Sequence, residues 1–212
     1  MLMRNECYER SFFDFKKQEL IVLAARPGMG KTTFALNLAA QSSIHFKLPT
    51  VYFSLEMSKE NLGNRLLTME NAETIGESPL IIDDTPGISV SELGAKCRKI
   101  KQEQGLALVI IDYLQLIVYD RETESRQQEI SEISRSLKAL AKELDVTVIA
   151  LSQLSRSVEQ RPDKRPTLSD LRESGAIEQE ADVILLLYRD DYYNTDTEEQ
   201  GITEIIIAKQ PS

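Results

Sequence analysis

The sequence predicts an α/β fold, a mostly parallel central sheet with helices on both faces, and three observations carry that prediction. Short apolar, β-branched runs alternate with longer helix-period segments along most of the chain, the pattern of strand–helix–strand crossover units. The longest run, LALVIIDYLQLI (106–117), is apolar without alternation, as in a parallel strand covered on both sides. A glycine-rich turn, ARPGMGKT (25–32), sits directly between a strand-like run and an alanine- and leucine-rich helical one.

Taken in order, ELIVLAA (19–25) predicts the first strand and Lys31 to Ser42 the first helix. TVYFSL (50–55) is the next strand, and Ser58 is placed to cap the helix that follows, because a serine oxygen accepts from the unpaired N–H groups of a first helical turn. PLIIDD (79–84) predicts a short strand, then TPGISVSELGAKCRKIKQEQG a turn and a helix. After the 106–117 strand, residues 127–144 set Ile130, Ile133, Leu137, Leu140, Ala141 and Leu144 on one helical stripe. VTVIALSQL (146–154), ADVILLLYR (181–189) and TEIIIAK (203–209) complete the strands. Residues 118–127 and 155–175 lack periodicity and read as loops; the second holds Arg156, Arg161, Lys164, Arg165 and Arg172. Residues 1–18 are expected to be a linker or arm docking through Phe12, Phe13 and Phe15, and residues 19–212 one domain.

Composition bounds the function. With 212 residues, 42% hydrophobic and 28% charged, the chain is long enough for a core that needs neither disulfide nor metal. No apolar run approaches membrane-spanning length, and Cys7 and Cys97 lack metal-ligand spacing, so a cytoplasmic setting is expected. The net charge of −9 excludes a protein that coats nucleic acid with its whole surface. It leaves room for a local basic loop.

The turn at 25–32 departs from G-x-x-x-x-G-K-[ST] only in carrying Ala25 for the first glycine, tolerable where that residue keeps negative φ. Such a loop turns backbone N–H groups toward an anion, sets a lysine on the outer phosphates and offers a hydroxyl to Mg²⁺. Arg26, Pro27, Gly28, Met29, Gly30, Lys31, Thr32 and Thr33 are the candidate ATP cradle. Asp112 ends the most apolar strand and is the candidate acid for Mg²⁺, with Thr32 beside it; a carboxylate so placed needs a compensating charge. Glu56, at another strand end, is the candidate base for an attacking water, and Gln153, at a third, the candidate γ-phosphate contact. A solvated glutamate and a structural amide are the bland alternatives for those two.

With those residues the chain resembles the motor domain of DnaB-type bacterial replicative helicases, within the RecA-like P-loop NTPases. The resemblance rests on AARPGMGKTTFALN, FSLEMS, LVIIDYLQL, EISEISRSLKALAKEL, EIIIAKQ and above all the run from Ala150 to Ile184 containing SDLRESGAIEQEAD. It implies a ring hexamer that hydrolyses ATP at subunit interfaces and moves along single-stranded DNA, with a helicase loader and primase as partners and a bacterial, nucleoid-associated location. It also implies the roles of Lys31, Thr32, Glu56, Asp112 and Gln153 given above, adds Lys209 directed at a neighbour's γ-phosphate, and places DNA contacts at Arg172, Glu173 and Gly175.

Three departures accompany it. No counterpart of the family's N-terminal collar is present; the stretch from Glu56 to Leu80 is shorter than the family's; and Pro211 and Ser212 stand where an arginine finger should follow Gln210. The last leads to the expectation that the chain binds ATP well and hydrolyses it slowly. A filament-forming or regulatory DNA-dependent ATPase and a catalytically weak docking module are the competing readings. His45 and Cys97 are expected to be structural, Tyr113 to pack or cap its strand, and Tyr188–Tyr193 to form a surface turn, with an aromatic platform as its alternative.

Overall fold

The structure, a computed structural model, describes residues 15–210, without the side chains of residues 172–176. Seven strands form one sheet: β1 Leu20–Ala25, β2 Thr50–Ser54, β3 Leu80–Asp83, β4 Leu108–Asp112, β5 Thr147–Gln153, β6 Val183–Tyr188 and β7 Glu204–Lys209. Their order is β3-β2-β4-β5-β1-β6-β7. Every neighbouring pair is parallel except β6–β7, so the predicted class holds, with one antiparallel strand at the edge.

The helices are α1 Lys31–Ala40, α2 Lys59–Leu67, α3 Ala72–Gly76, α4 Val90–Gln104, α5 Arg126–Leu144 and α6 Gly175–Glu180. Alternate residues of β1 divide between two cores. Leu20, Val22 and Ala24 pack with Leu93 and Cys97 of α4 and Ile130, Ile133 and Leu137 of α5. Ile21, Leu23 and Ala25 pack with Phe34 and Leu36 of α1 and Leu62 and Leu66 of α2. Helices therefore cover both faces, and the continuous apolar character of β1 follows from burial on each.

Local chemistry sets the helix ends. The Ser58, Ser89 and Ser125 side chains each accept a backbone N–H at the start of α2, α4 and α5, and Gly105 (φ 80) closes α4. Ile130, Ile133, Leu137, Leu140 and Ala141 are buried as the stripe predicts, while Leu144 at the helix end is half-buried. The Cys97 thiol is pushed up to about 12, chiefly by burial, which makes it a packing group rather than a nucleophile.

Three boundaries differ from expectation. The 106–117 run is strand only to Asp112; Leu114–Leu116 forms a 3₁₀ turn, with Leu114 and Ile117 in the same core. An apolar run does not reveal where a strand hands its burial to a turn. The first helix widens at Ala40 into a π turn, Gln41–His45, where the Ser43 hydroxyl donates to the Ala39 carbonyl at 2.7 Å. The short helix α3 was not foreseen; Asn71 caps it by accepting from Thr74 N. His45, expected to be structural, lies at the surface with its Nε2 3.0 Å from Glu70.

Most of the expected N-terminal arm lies outside the described residues, Phe12 and Phe13 included. Phe15 packs on the α1-side core. The Gln18 backbone N–H donates to Val146 at 2.9 Å, and Lys138 donates to the Gln18 carbonyl at 2.8 Å.

Candidate nucleotide-binding site

The glycine turn joins β1, in the middle of the sheet, to α1. Ala25 is fully buried, pairs in register with Gln153 and is absent from the described non-glycine residues with positive φ, so its methyl costs the loop nothing. Gly28 (φ 82) and Gly30 (φ 85) are in the left-handed region, which favours glycine. Gly28 is doubly constrained, because a Cβ there would lie 2.8 Å from the ring of Tyr192. Met29 is buried and anchors the loop in the core. No side chain caps α1 at Gly30 and no acidic residue sits in its first turn. The helix thus presents unpaired N–H groups and the positive end of its dipole, an arrangement made for an anion.

Beside the loop is a cleft of about 310 Å³ lined by Arg26, Pro27, Gly28, Gly30, Lys31, Thr32, Thr33, Glu56 and Gln153. The ends of β1, β2 and β5 thus bring the predicted residues together at the carboxyl edge of the sheet, where ligands of such folds bind. The Lys31 ammonium donates to the Ser152 carbonyl at 3.1 Å and lies 5.1 Å from the centre of the Tyr113 ring. Burial lowers the Lys31 pKa from 10.5, while the charges of Asp112 and Glu56 push it back up.

Asp112 lies beneath the cleft, 1% exposed. Its Oδ2 accepts from the Tyr52 hydroxyl at 3.0 Å, and its Oδ1 has no hydrogen-bond partner. A buried carboxylate oxygen without a donor is costly. A hydrated divalent cation would satisfy it, so the donor set of Asp112 and Thr32 fits Mg²⁺.

Two contributors escaped the sequence. Arg65, near the end of α2, lines the same cleft. Tyr192 covers Gly28 from the β6–β7 connection; of the surface turn expected at Tyr188–Tyr193, Tyr188 is instead the buried last residue of β6, and the turn itself, Asp190–Tyr192, lies against the phosphate loop. Tyr113, the residue after Asp112, is half-buried: it packs against the α1-side core as expected and also lines the cleft.

A second cleft of about 350 Å³ adjoins the first, sharing Arg26 and Gln153 and lined also by Arg156, Asp170 and Leu171. Arg26 links the two. Its guanidinium donates to Glu159 at 3.0 and 2.9 Å and to the Leu154 carbonyl at 2.8 Å, tying the phosphate loop to the start of the basic 155–175 segment. That segment is not a loop throughout: Arg156–Gln160 and Leu168–Ser174 form 3₁₀ turns before α6. Nor is its charge all free. Arg161 holds Asp170 through two donors at 2.9 and 2.8 Å, Arg165 is paired with Glu204, and Lys164 sits over the Tyr193 ring. Arg156 is exposed and unpaired among the described contacts. Arg172, Glu173 and Gly175, the expected DNA contacts, fall in the stretch whose side chains lie outside the described structure.

Asp170 is the structural knot of this segment, 2% exposed and bonded also by the Thr167 N–H and hydroxyl. Burial raises its pKa, but the Arg161 fork and the Thr167 donors outweigh it and hold the carboxyl below 3.8. Asp170→Ala is expected to cost about 1–3 kcal/mol in chemical denaturation, since it leaves the Thr167 donors and the partly exposed Arg161 guanidinium without their acceptor. A carboxyl depressed in the folded chain stabilises above its unfolded pKa, so this contribution should be whole near neutrality and lost as pH falls below about 4. An acid transition unchanged in the alanine variant would refute the assignment.

Lys209 is not at the cleft. Its ammonium donates to the Glu178 and Ala181 carbonyls at 2.6 Å each, capping the end of α6 and fixing that helix to β7.

The sequence and the fold both have counterparts among known proteins. A family model described as the DnaB-like helicase C terminal domain matches residues 8–73 and 68–212; the two matches meet inside the stretch between Glu56 and Leu80. The replicative DNA helicase DnaB of Geobacillus stearothermophilus is 53% identical over 226 residues, covering 95% of this chain and 50% of that protein. The replicative DNA helicase DnaC of Bacillus subtilis (strain 168) is 51% identical, with the same coverage. The chain spans about half the length of the curated relatives it matches. Among solved structures, one described as an ATPase domain superposes with a TM-score of 0.87 at 44% identity, covering 92% of this chain and 78% of that one. A DnaB-like replicative helicase, described with its interactions with primase, gives the same score and identity and covers 92% and 53%. The mostly parallel seven-stranded sheet is thus that of a DnaB-like RecA-fold ATPase domain, and the chain belongs to the DnaB-like helicase C-terminal domain family.

Proposed function

We propose that the chain is the ATP-driven motor of a replicative DNA helicase, working as a ring hexamer that moves along single-stranded DNA. The observation that carries this reading is the convergence of Lys31, Glu56, Arg65 and Gln153 on one cleft above a buried Asp112 with an unpartnered oxygen. Lys31, the N–H groups of the glycine loop and Arg65 would hold the triphosphate. Asp112 and Thr32 would hold Mg²⁺, which when bound neutralises phosphate charge. Glu56 would take a proton from the attacking water as its oxygen bonds to the γ-phosphorus and the bond to the β–γ bridging oxygen breaks, releasing ADP and phosphate. Gln153, between the two clefts, would register the γ-phosphate, and Arg26 with Glu159 would pass that state toward the 155–175 segment.

DNA contact is assigned to Arg172, Glu173 and Gly175, with the exposed Arg156 as a further phosphate contact. The relatives are named as replicative helicases and one structural neighbour is titled for its interactions with primase, which supports DNA and primase as partners; a loader is proposed from the resemblance alone. Lys209 is assigned to a neighbouring subunit's γ-phosphate, which would require it to leave the end of α6. Residues 19–212 are taken as one motor domain with 1–18 as a linker, in a cytoplasmic, nucleoid-associated protein; among the described residues no helix is long and apolar enough to cross a membrane.

The test is light scattering with ATP and single-stranded DNA, alongside DNA-stimulated ATPase assays. A closed hexamer with stimulated turnover is expected; open filaments on DNA would refute the helicase reading. Arg172→Ala should weaken DNA binding uniformly across sequences and reduce the salt slope by about one phosphate contact. An unchanged slope would place the DNA elsewhere.

A further inference from the structure

We propose that Tyr52 is a positioning residue for the magnesium-binding carboxylate: its hydroxyl holds Asp112 Oδ2 so that Oδ1 alone is turned to the cation. The inference rests on the reading of Asp112 as the Mg²⁺ acid and goes beyond it by assigning the group that aims the carboxylate.

Position and chemistry both support it. In the β2–β4 pairing Tyr52 lies opposite Ile110, and Ser54 opposite Asp112. Side chains two apart on a strand share a face, so Tyr52 and Asp112 are diagonal neighbours on the α1 side of the sheet, a step that an aromatic side chain spans. The reach is made, with hydroxyl and carboxylate 3.0 Å apart. Tyr52 is fully buried in the α1-side core, with Ile110 beside it on β4.

A phenylalanine would fill that apolar space equally well, and the hydroxyl is polar weight that burial penalises unless it is bonded. Its partner is Asp112, and a carboxylate with one oxygen pinned by a donor can no longer rotate both oxygens through the site. The two oxygens are thereby made unequal, Oδ2 satisfied by protein and Oδ1 with no partner. The groups that hold a metal-bound carboxylate are typically worth about 10–100-fold in metal affinity.

The experiment titrates Mg²⁺ into the full chain in the presence of fluorescent ADP, and measures ADP binding separately in EDTA. Tyr52→Phe should raise the Mg²⁺ concentration for half-maximal binding by about 10-fold and leave binding in EDTA unchanged. Tyr52→Met, a second hydroxyl-free side chain that fills irregular space, should shift the Mg²⁺ dependence in the same way, so neither result hangs on one variant's folding. In an Asp112→Asn background, Tyr52→Phe should add no further shift. A Mg²⁺ dependence in both hydroxyl-free variants equal to that of the unmodified chain would overturn the role of Tyr52 while leaving Asp112 as the acid. Nucleotide binding by the unmodified chain that is indifferent to Mg²⁺ would overturn the magnesium reading and this proposal together.

Discussion

Glu56→Gln is expected to preserve ATP binding and to lower hydrolytic turnover by about 10²–10⁴-fold, the usual contribution of a positioned general base. Glutamine keeps the length and shape of the side chain and loses only its capacity to take a proton. Glu56 stands at the end of β2, exposed to the cleft in which Lys31 and Thr32 also lie. Asp112 is buried and already engaged by Tyr52, and Gln153 is an amide with no useful basicity. Among the described residues of the cleft, Glu56 is therefore the carboxylate able to reach an attacking water. Single-turnover hydrolysis measured beside fluorescent nucleotide binding separates the two steps. Hydrolysis that survives with binding intact would mean that another group is the base. A parallel loss of both would mean that Glu56 holds the site together rather than serving the chemistry.

What was legible in the sequence, and what was not, follows from the range of each interaction. Gly28, Gly30, Lys31 and Thr32 are contiguous or nearly so, and their backbone geometry is a local property of glycine before a helix. Asp112 and Glu56 could be found because a carboxylate ending an apolar strand is conspicuous, and parallel strands deliver their carboxyl ends to one edge. Arg65 was missed although a signal existed. It lies beside Leu62 and Leu66, the buried residues of α2, on the helix that leaves the strand end carrying Glu56, so an arginine on the flank of that stripe is turned toward the cleft. The pairing of Tyr52 with Asp112 needed the β2–β4 register, which neither strand's sequence contains. Tyr192 over Gly28 and Lys209 on α6 depend on how the β6–β7 connection and the antiparallel edge strand fold back, and nothing local encodes either. The 155–175 segment was misjudged in the other direction: counting its cations did not show that Asp170 and Glu204 occupy Arg161 and Arg165.

Lys31→Ala is expected to weaken MgATP binding by about 10²–10³-fold, the scale on which removing one preorganised charge donor acts in a sheltered site. In the structure Lys31 is under-compensated. Burial disfavours its charge and lowers its pKa, while Asp112 and Glu56 draw it back, and one carbonyl and the face of Tyr113 are the contacts it makes. A triphosphate supplies further counter-charge, so binding energy concentrates on this ammonium. Without it, Asp112 and Glu56 would face the phosphates with Arg65 and the Glu159-paired Arg26 as the remaining basic groups of the cleft, and the local field would favour the ligand far less. Calorimetric titration gives the affinity directly, and thermal unfolding gives it independently, because a ligand bound only to the folded chain raises its stability with concentration. The unmodified chain should show a midpoint that climbs with ATP, and the alanine variant a midpoint that does not. The lowered pKa adds a sign that a structural role would not produce. As pH rises, Lys31 sheds its proton before a free lysine at 10.5 does, so ATP affinity in the unmodified chain should begin to fall on the alkaline side below that value. Lys31→Arg, whose charge persists through this range, should bind more weakly at neutral pH for want of fit and yet lose that alkaline fall; an unchanged pH profile in the arginine variant would separate the phosphate contact from the charge of this side chain.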